Sequence, residues 1–231
     1  MCTFKRRDVY TKVKDKKVFI LAIPTIVIIV VVAIGMLLIF YNRNYKKMSR
    51  EDAKILSQKV AVIDNISCEL VTNAGGIESI SDYKMKENKM VSKTDGFTTY
   101  DNKDEQRIVQ LVDSEKRAYT YSNYKSEIDD FRAMLCSVAK SFEDERYNYQ
   151  FQKYETINGV KCVNFILQND EVEFKIWLDR STGMIVKMIC HDKSNSQNEM
   201  DSTLYFRYQI GNVSDSQVQK PDLSGYEITE L

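Results

Sequence analysis

The sequence predicts an α+β protein: an N-terminal transmembrane helix, then one curved antiparallel sheet covered by helices. Three observations carry this expectation. An uncharged apolar run, VFILAIPTIVIIVVVAIGMLLIF, occupies residues 18–40. Beyond it, most segments alternate apolar and polar residues with a period of two, as half-buried strands do. Two stretches instead space their apolar residues by threes and fours, as helices do.

The apolar run is long enough to span a membrane, because a helix rises 1.5 Å per residue and roughly 20 residues cross a hydrocarbon core of about 30 Å. Pro24 falls near its start, where a missing N–H costs least. A cleaved signal peptide is the competing reading, since AIG at 33–35 has the small-x-small pattern of a cleavage site. Cutting there would leave MLLIFY as the new N-terminus, and no Cys follows directly for lipidation. The sequence therefore favours an uncleaved anchor.

Charge sets the orientation. The 33 basic and 33 acidic groups balance overall, yet residues 1–17 hold seven Lys/Arg against two Asp, and residues 41–50 add four Lys/Arg and no acid. Residues 51–231 keep 22 basic and 31 acidic groups, a net charge of about −9. More basic residues precede the run than follow it, so the tail 1–17 is expected in the cytoplasm. Residues 41–49 then form a juxtamembrane linker, and 50–231 an extracytoplasmic domain of a single-pass cell-membrane protein. A domain this acidic excludes nucleic acid as a partner, because phosphate binding needs clustered Lys and Arg.

The domain opens with a helix. Ser49 and Asp52 have capping-box spacing, and Ala53, Leu56, Val60 and Ile63 follow at helical intervals. From Ile66 the period falls to two in CELV, YKMKENKMVSK, GFTTYDN and RIVQLVDSEKRAYTY, with turns expected at NAGG (73–76) and TDGF (94–97). A second helix starts at Ser126 and carries the stripe Ile128, Phe131, Leu135, Val138 and Phe142, which must meet an apolar partner. Five further strands follow: YNYQFQKYE, VKCVNFILQ, EVEFKIWLD, GMIVKMICH and STLYFRYQI. Val172, Phe174, Ile176 and Leu178 share one face of their strand, and Leu204, Phe206, Tyr208 and Ile210 share one face of theirs. Short links such as INGV and QNDE make these an antiparallel meander. A sheet this long must curl or be covered. The tail DSQVQKPDLSGYEITEL reads as an extended closing segment at a sheet edge.

WLDRSTGMIVK (177–187) holds the sole tryptophan beside an acid, a base and hydroxyls. Turn chemistry accounts for it: Asp179 can accept backbone N–H bonds, and Thr182-Gly183 suits a tight connection. A catalytic reading lacks a means of raising the Asp179 carboxyl pKa in an exposed turn. The pattern W-L-D-x-x-T-G-x-x-x-K (Trp177, Asp179, Thr182, Gly183, Lys187) resembles one in the LolA-like superfamily of lipoprotein carriers. That superfamily includes the RseB/MucB type of sensor domain and anchored Gram-positive relatives. The order of elements over about residues 50–228 and the ending VQKPDLSGYEI are similar too. The resemblance implies a half-open β-barrel whose concave side holds helices and an apolar cavity, in a binding protein without catalytic residues. This chain departs from the carriers in its anchor, so the resemblance implies holding an acyl chain, sensing one, or contacting another envelope protein rather than shuttling lipoproteins.

The remaining motifs exclude most chemistry. His191 is the sole histidine, and no phosphate loop, G-x-G-x-x-G, G-x-S-x-G or H-E-x-x-H is present, so no catalytic residue, metal site or cofactor is expected. Cys68, Cys136, Cys162 and Cys190 could form two bridges, but without C-x-x-C spacing they read as separate buried thiols. Two functional expectations remain. In the first, the curved sheet binds a lipid or acyl ligand through an inward face of Phe165, Leu167, Phe174, Ile176, Leu178, Val186, Met188, Phe206 and Tyr208, with Phe131 and Leu135 from the covering helix. In the second, the same sheet is filled by its own side chains and an edge or a Tyr-rich face recruits an envelope protein.

Overall fold

A computed structural model describes residues 32–34, 36, 47–193 and 201–231. Chain contacts divide it into a unit of residues 1–46 and a unit of residues 47–231. In the first, the four described residues are helical. The expected cytoplasmic tail 1–17, most of the expected span 18–40 and most of the expected linker 41–49 lie outside the described residues. Among the described residues, no helix is long and apolar enough to cross a membrane.

The second unit is built on one sheet of twelve strands. Before it comes helix α1 (Arg50–Gln58), whose N-cap Ser49 accepts a hydrogen bond from the Asp52 N–H at 3.1 Å, as the capping spacing predicts. A 3₁₀ turn (Lys59–Val62) then tightens the helix end, so the expected stripe to Ile63 is not one continuous α-helix. Ala53, Leu56 and Val60 from this segment are buried. Six strands follow: β1 (Asn65–Ala74), β2 (Ile77–Lys86), β3 (Lys89–Thr94), β4 (Phe97–Asn102), β5 (Arg107–Val112) and β6 (Arg117–Ser122). Each pairs antiparallel with the next. The turn at Asp95-Gly96 has positive φ at both residues (47° and 86°), the mirror-image geometry that matches strand twist in a two-residue hairpin.

The second apolar stripe divides into α2 (Glu127–Leu135) and α3 (Ser137–Ser141), broken at Cys136 with φ −85° and ψ 2°. Its periodicity nonetheless holds, for Ile128, Phe131, Leu135, Val138 and Phe142 are all buried. The second meander consists of β7 (Asn148–Ile157), β8 (Val160–Gln168), β9 (Val172–Asp179), β10 (Ile185–Asp192) and β11 (Ser202–Ile210). Its strands pair in sequence order.

The two meanders become one sheet because β11 returns to pair antiparallel with β1 over nine positions, from Ile66 opposite Ile210 to Ala74 opposite Ser202. The closing tail ends in β12 (Glu227–Glu230), which pairs parallel with β6. The sheet is curved and not closed, with β12 and β7 at its two edges. One face packs against the helices and contains the main core, including Phe165, Leu167, Ile176, Leu178, Phe206 and Leu135. On the opposite face, Leu223 and Tyr226 of the tail pack over Tyr100, Val109, Leu111 and Ala118. Farther along that face, Cys162, Trp177 and Val186 make a third buried cluster.

Candidate functional site

The inward face expected from alternation is occupied by packed side chains. Phe165, Leu167 and Leu178 are fully buried, and Ile176, Phe206, Phe131 and Leu135 nearly so. Phe174, Met188 and Tyr208 are partly buried against the same cluster. Phe142 from the end of the helical segment reaches Phe165 with ring centroids 5.6 Å apart, and Tyr149 of the edge strand reaches it at 5.4 Å. The helices thus lay their apolar stripes directly onto the sheet.

Val186 is the exception. It lies on the opposite face with Trp177 and Cys162, while Ile185 and Met184 belong to the main core. The cause is a register shift in β10 between Ile185 and Lys187. One extra residue at a bulge reverses the alternation beyond it. A period of two assigned Val186 and Met188 to one face, and the bulge separates them.

The turn after Trp177 is a closed polar knot rather than an exposed turn. Asp179 is 9% exposed. Its Oδ1 accepts from the Ser181 N–H and hydroxyl, both at 2.7 Å, and its Oδ2 accepts from Tyr208 at 2.6 Å and Thr182 at 3.0 Å. Burial by itself pushes the Asp179 carboxyl up, but the hydrogen bonds from Tyr208, Ser181 and Thr182 outweigh it and hold the group below the ordinary carboxylate range. Burial and the bond to Asp179 push the Tyr208 hydroxyl upward. With all four contacts made, the carboxylate ties the turn to Tyr208 of β11. Gly183, with φ +77°, sits against the end of α1. Lys187 and Lys175 place their ammonium groups 5.1 and 5.3 Å from the Trp177 ring centre, and the indole N–H donates to Glu155 at 2.6 Å. Each residue of the turn motif therefore has a structural task.

His191 pairs with Asp201 at 2.8 Å near the surface. Cys68, Cys136, Cys162 and Cys190 are all unbridged. Among the described residues, no cluster of His, Cys, Asp or Glu is arranged to hold a metal ion.

Two of the concavities among the described residues are lined largely by residues outside the expected apolar set, sharing only Tyr208 and Phe131 with it. A trough of about 720 Å³ runs over the face opposite the helices, between the tail residues Gln217, Gln219 and Pro221 and the sheet residues Glu69, Asp82, Lys84, Lys93 and Arg207. Its walls combine these charged side chains with apolar surface from Val91, Tyr100 and Pro221. A smaller cavity of about 390 Å³ opens beside α2, lined by Tyr83, Met90, Glu127, Asp130, Phe131 and Met134. Of these only Phe131 was among the sequence-derived candidates. The others were concealed because β2 and β3 had no assigned facing, and because acids in the first turn of a helix have an ordinary explanation in the helix dipole.

No family model matches the sequence, and no curated protein matches it. Solved structures of similar fold include MucB, at 14% identity and a TM-score of 0.47, covering 77% of this chain and 65% of MucB. Also similar are the Mycobacterium tuberculosis lipoprotein LppX (11% identity, TM-score 0.42, 72% of this chain and 97% of LppX) and a LolA superfamily protein from Nitrosomonas europaea (11%, 0.29, 73% and 97%). The chain spans just under two thirds of the length of MucB.

Proposed function

We propose that this chain is a non-catalytic, membrane-anchored binding protein whose acidic domain recruits an envelope protein from outside the cytoplasm. Residues 18–40 hold it in the bilayer, and the basic excess ahead of them keeps residues 1–17 inside. The observation that carries the reading is the filled inner face. Leu135, Phe142, Phe165, Leu167 and Leu178, each at most 4% exposed, fill the space that an acyl chain would need. The concavities that remain have charged walls or rims, which suits a polypeptide better than a lipid tail.

Native mass spectrometry of the full chain released from membranes tests the filled core, with the bare polypeptide mass expected. A retained lipid mass would overturn this reading and restore an apolar ligand held in the sheet. Photo-crosslinking in cells from single positions in the domain tests the partner, with a discrete protein adduct expected from some positions and none from others.

A further inference from the structure

The cavity beside α2 joins an apolar floor to an acidic rim. Its floor is apolar and aromatic. Met90 and Phe131 are 2% and 4% exposed, and Phe131 stacks on Tyr83 with ring centroids 4.6 Å apart and planes 23° from parallel. Met134 completes this floor. The rim carries carboxylates from the first turn of the helix.

Three acids occupy that turn, and their situations differ. Asp129 is paired with Lys103 at 2.7 Å, and Asp130 with Lys125 at 2.8 Å. Glu127 also lines the cavity but has no basic partner among the described residues. Behind it lies a second uncompensated carboxylate. Asp101 is 1% exposed, its Oδ2 accepts from Ser126 Oγ at 2.7 Å and the Ile128 N–H at 3.2 Å, and its Oδ1 has no hydrogen-bond partner. Crowding by neighbouring atoms and the charge of Asp101 raise the Glu127 carboxyl above its ordinary value, as expected where negative charge accumulates without a counter-ion.

The geometry points to a binding site for the lysine or arginine side chain of a protein partner, its stem along the Met90–Met134–Phe131 floor and its cationic head at the rim beside Glu127. This assignment rests on the protein-recruiting function proposed above. Long basic side chains lay their methylene stems on apolar surface while keeping the charge solvated, which matches a greasy floor with an acidic edge. The rings of Tyr83 and Phe131 add attraction for a cation, and thioethers adapt to an irregular stem. A cavity of about 390 Å³ leaves room for one such chain. The net charge of about −9 on residues 51–231 favours approach of a basic partner over an acidic one. An acyl chain would gain from the floor but would meet the uncompensated Glu127 carboxylate at the mouth.

The test uses the full chain in detergent micelles with methyl-labelled methionine, followed by NMR. The probes are a blocked Gly-Lys-Gly peptide and its counterpart with an acetylated lysine, which keeps the stem and removes the charge. The lysine peptide is expected to shift the Met90 and Met134 methyl signals saturably, and the acetylated peptide to leave them unmoved. Glu127→Gln should weaken the effect about fivefold, as for loss of one partly exposed ion pair. Asp129→Asn, which removes an equal charge away from the cavity, should leave it unchanged. Equal shifts from both peptides, no saturable shift, or equal weakening in both variants would overturn the assignment. A cellular crosslink to a partner that survives Glu127→Gln at full yield would also overturn it, while leaving the recruiting function standing.

Discussion

The carbonyl oxygen of Leu56 stands 2.0 Å from the point where a β-carbon on Gly183 would lie. The last turn of α1 is therefore seated against the turn that follows β9, and only a residue without a side chain permits the approach. The adjoining contact from Lys59 Nζ, in the 3₁₀ turn that follows α1, to the Ser181 carbonyl at 3.4 Å reaches the same turn. Through this junction the first helix of the domain is fixed to a turn more than a hundred residues later.

Gly183→Ala is accordingly expected to destabilise the domain by about 2–4 kcal/mol, combining a positive φ with a backbone collision. Gly159→Ala shares the positive φ (83°) but meets no atom within 4 Å. It should cost only about 1–2 kcal/mol. Urea denaturation followed by circular dichroism separates the two, and equal losses would show that helix and turn are not in contact.

The polar knot predicts an acid dependence. The Asp179 carboxyl is held below its ordinary value in the folded protein, so the stability it contributes is complete above the unfolded carboxylate pKa of about 4 and is lost as pH falls through the folded value. Tyr208→Phe removes the donor at 2.6 Å and leaves Thr182 alone on Oδ2. The variant should lose about 1–2 kcal/mol near neutral pH, with the difference from wild type shrinking as the solution is acidified. A deficit that stays constant from neutral pH to well below pH 4 would contradict the assignment.

Thiol chemistry reports the two faces of the sheet together. Burial pushes the Cys68 thiol up to about 12, assisted by Asp82 and Glu69, and pushes Cys162 up to about 11. Cys68 lies in the core beneath the helices and Cys162 in the cluster around Trp177. Near pH 8 both should resist alkylation in the native protein and react in denaturant, as read by peptide mass spectrometry. Rapid native labelling of Cys162 would mean that the Trp177 cluster is open.

The bulge in β10 makes a prediction for tryptophan emission. Val186→Ala removes a side chain from the cluster that holds Trp177 and should shift its fluorescence. Ile185→Ala opens the main core instead, so it should cost about 2–5 kcal/mol while leaving native emission unchanged. The reverse pattern would restore the unbroken alternation.

At the start of α2, Ser126 accepts from the Ile128 N–H and donates to Asp101, both contacts being buried. Ser126→Ala should destabilise by about 1–2 kcal/mol, since it removes a helix cap and one of the bonds that satisfy a buried carboxylate. A loss within measurement error would show that the β4 carboxylate does not anchor this helix.

Periodicity alone determined the classes of element and, for most residues, the facing. The stripe Ile128 to Phe142 is buried through a helix break that the spacing does not reveal, and Phe165, Phe206 and Leu178 face the helices as alternation requires. Such features are local, because a side chain's direction depends on its own backbone turn or pleat. Tertiary structure decided what depends on partners distant in the chain. These include the pairing of β1 with β11, the bulge that moved Val186 across the sheet, the burial of Asp179 beneath Tyr208, and the meeting of Tyr83 and Met90 with α2. The physical reason is that register and cavity shape are set by which surfaces meet, and no single segment carries that information.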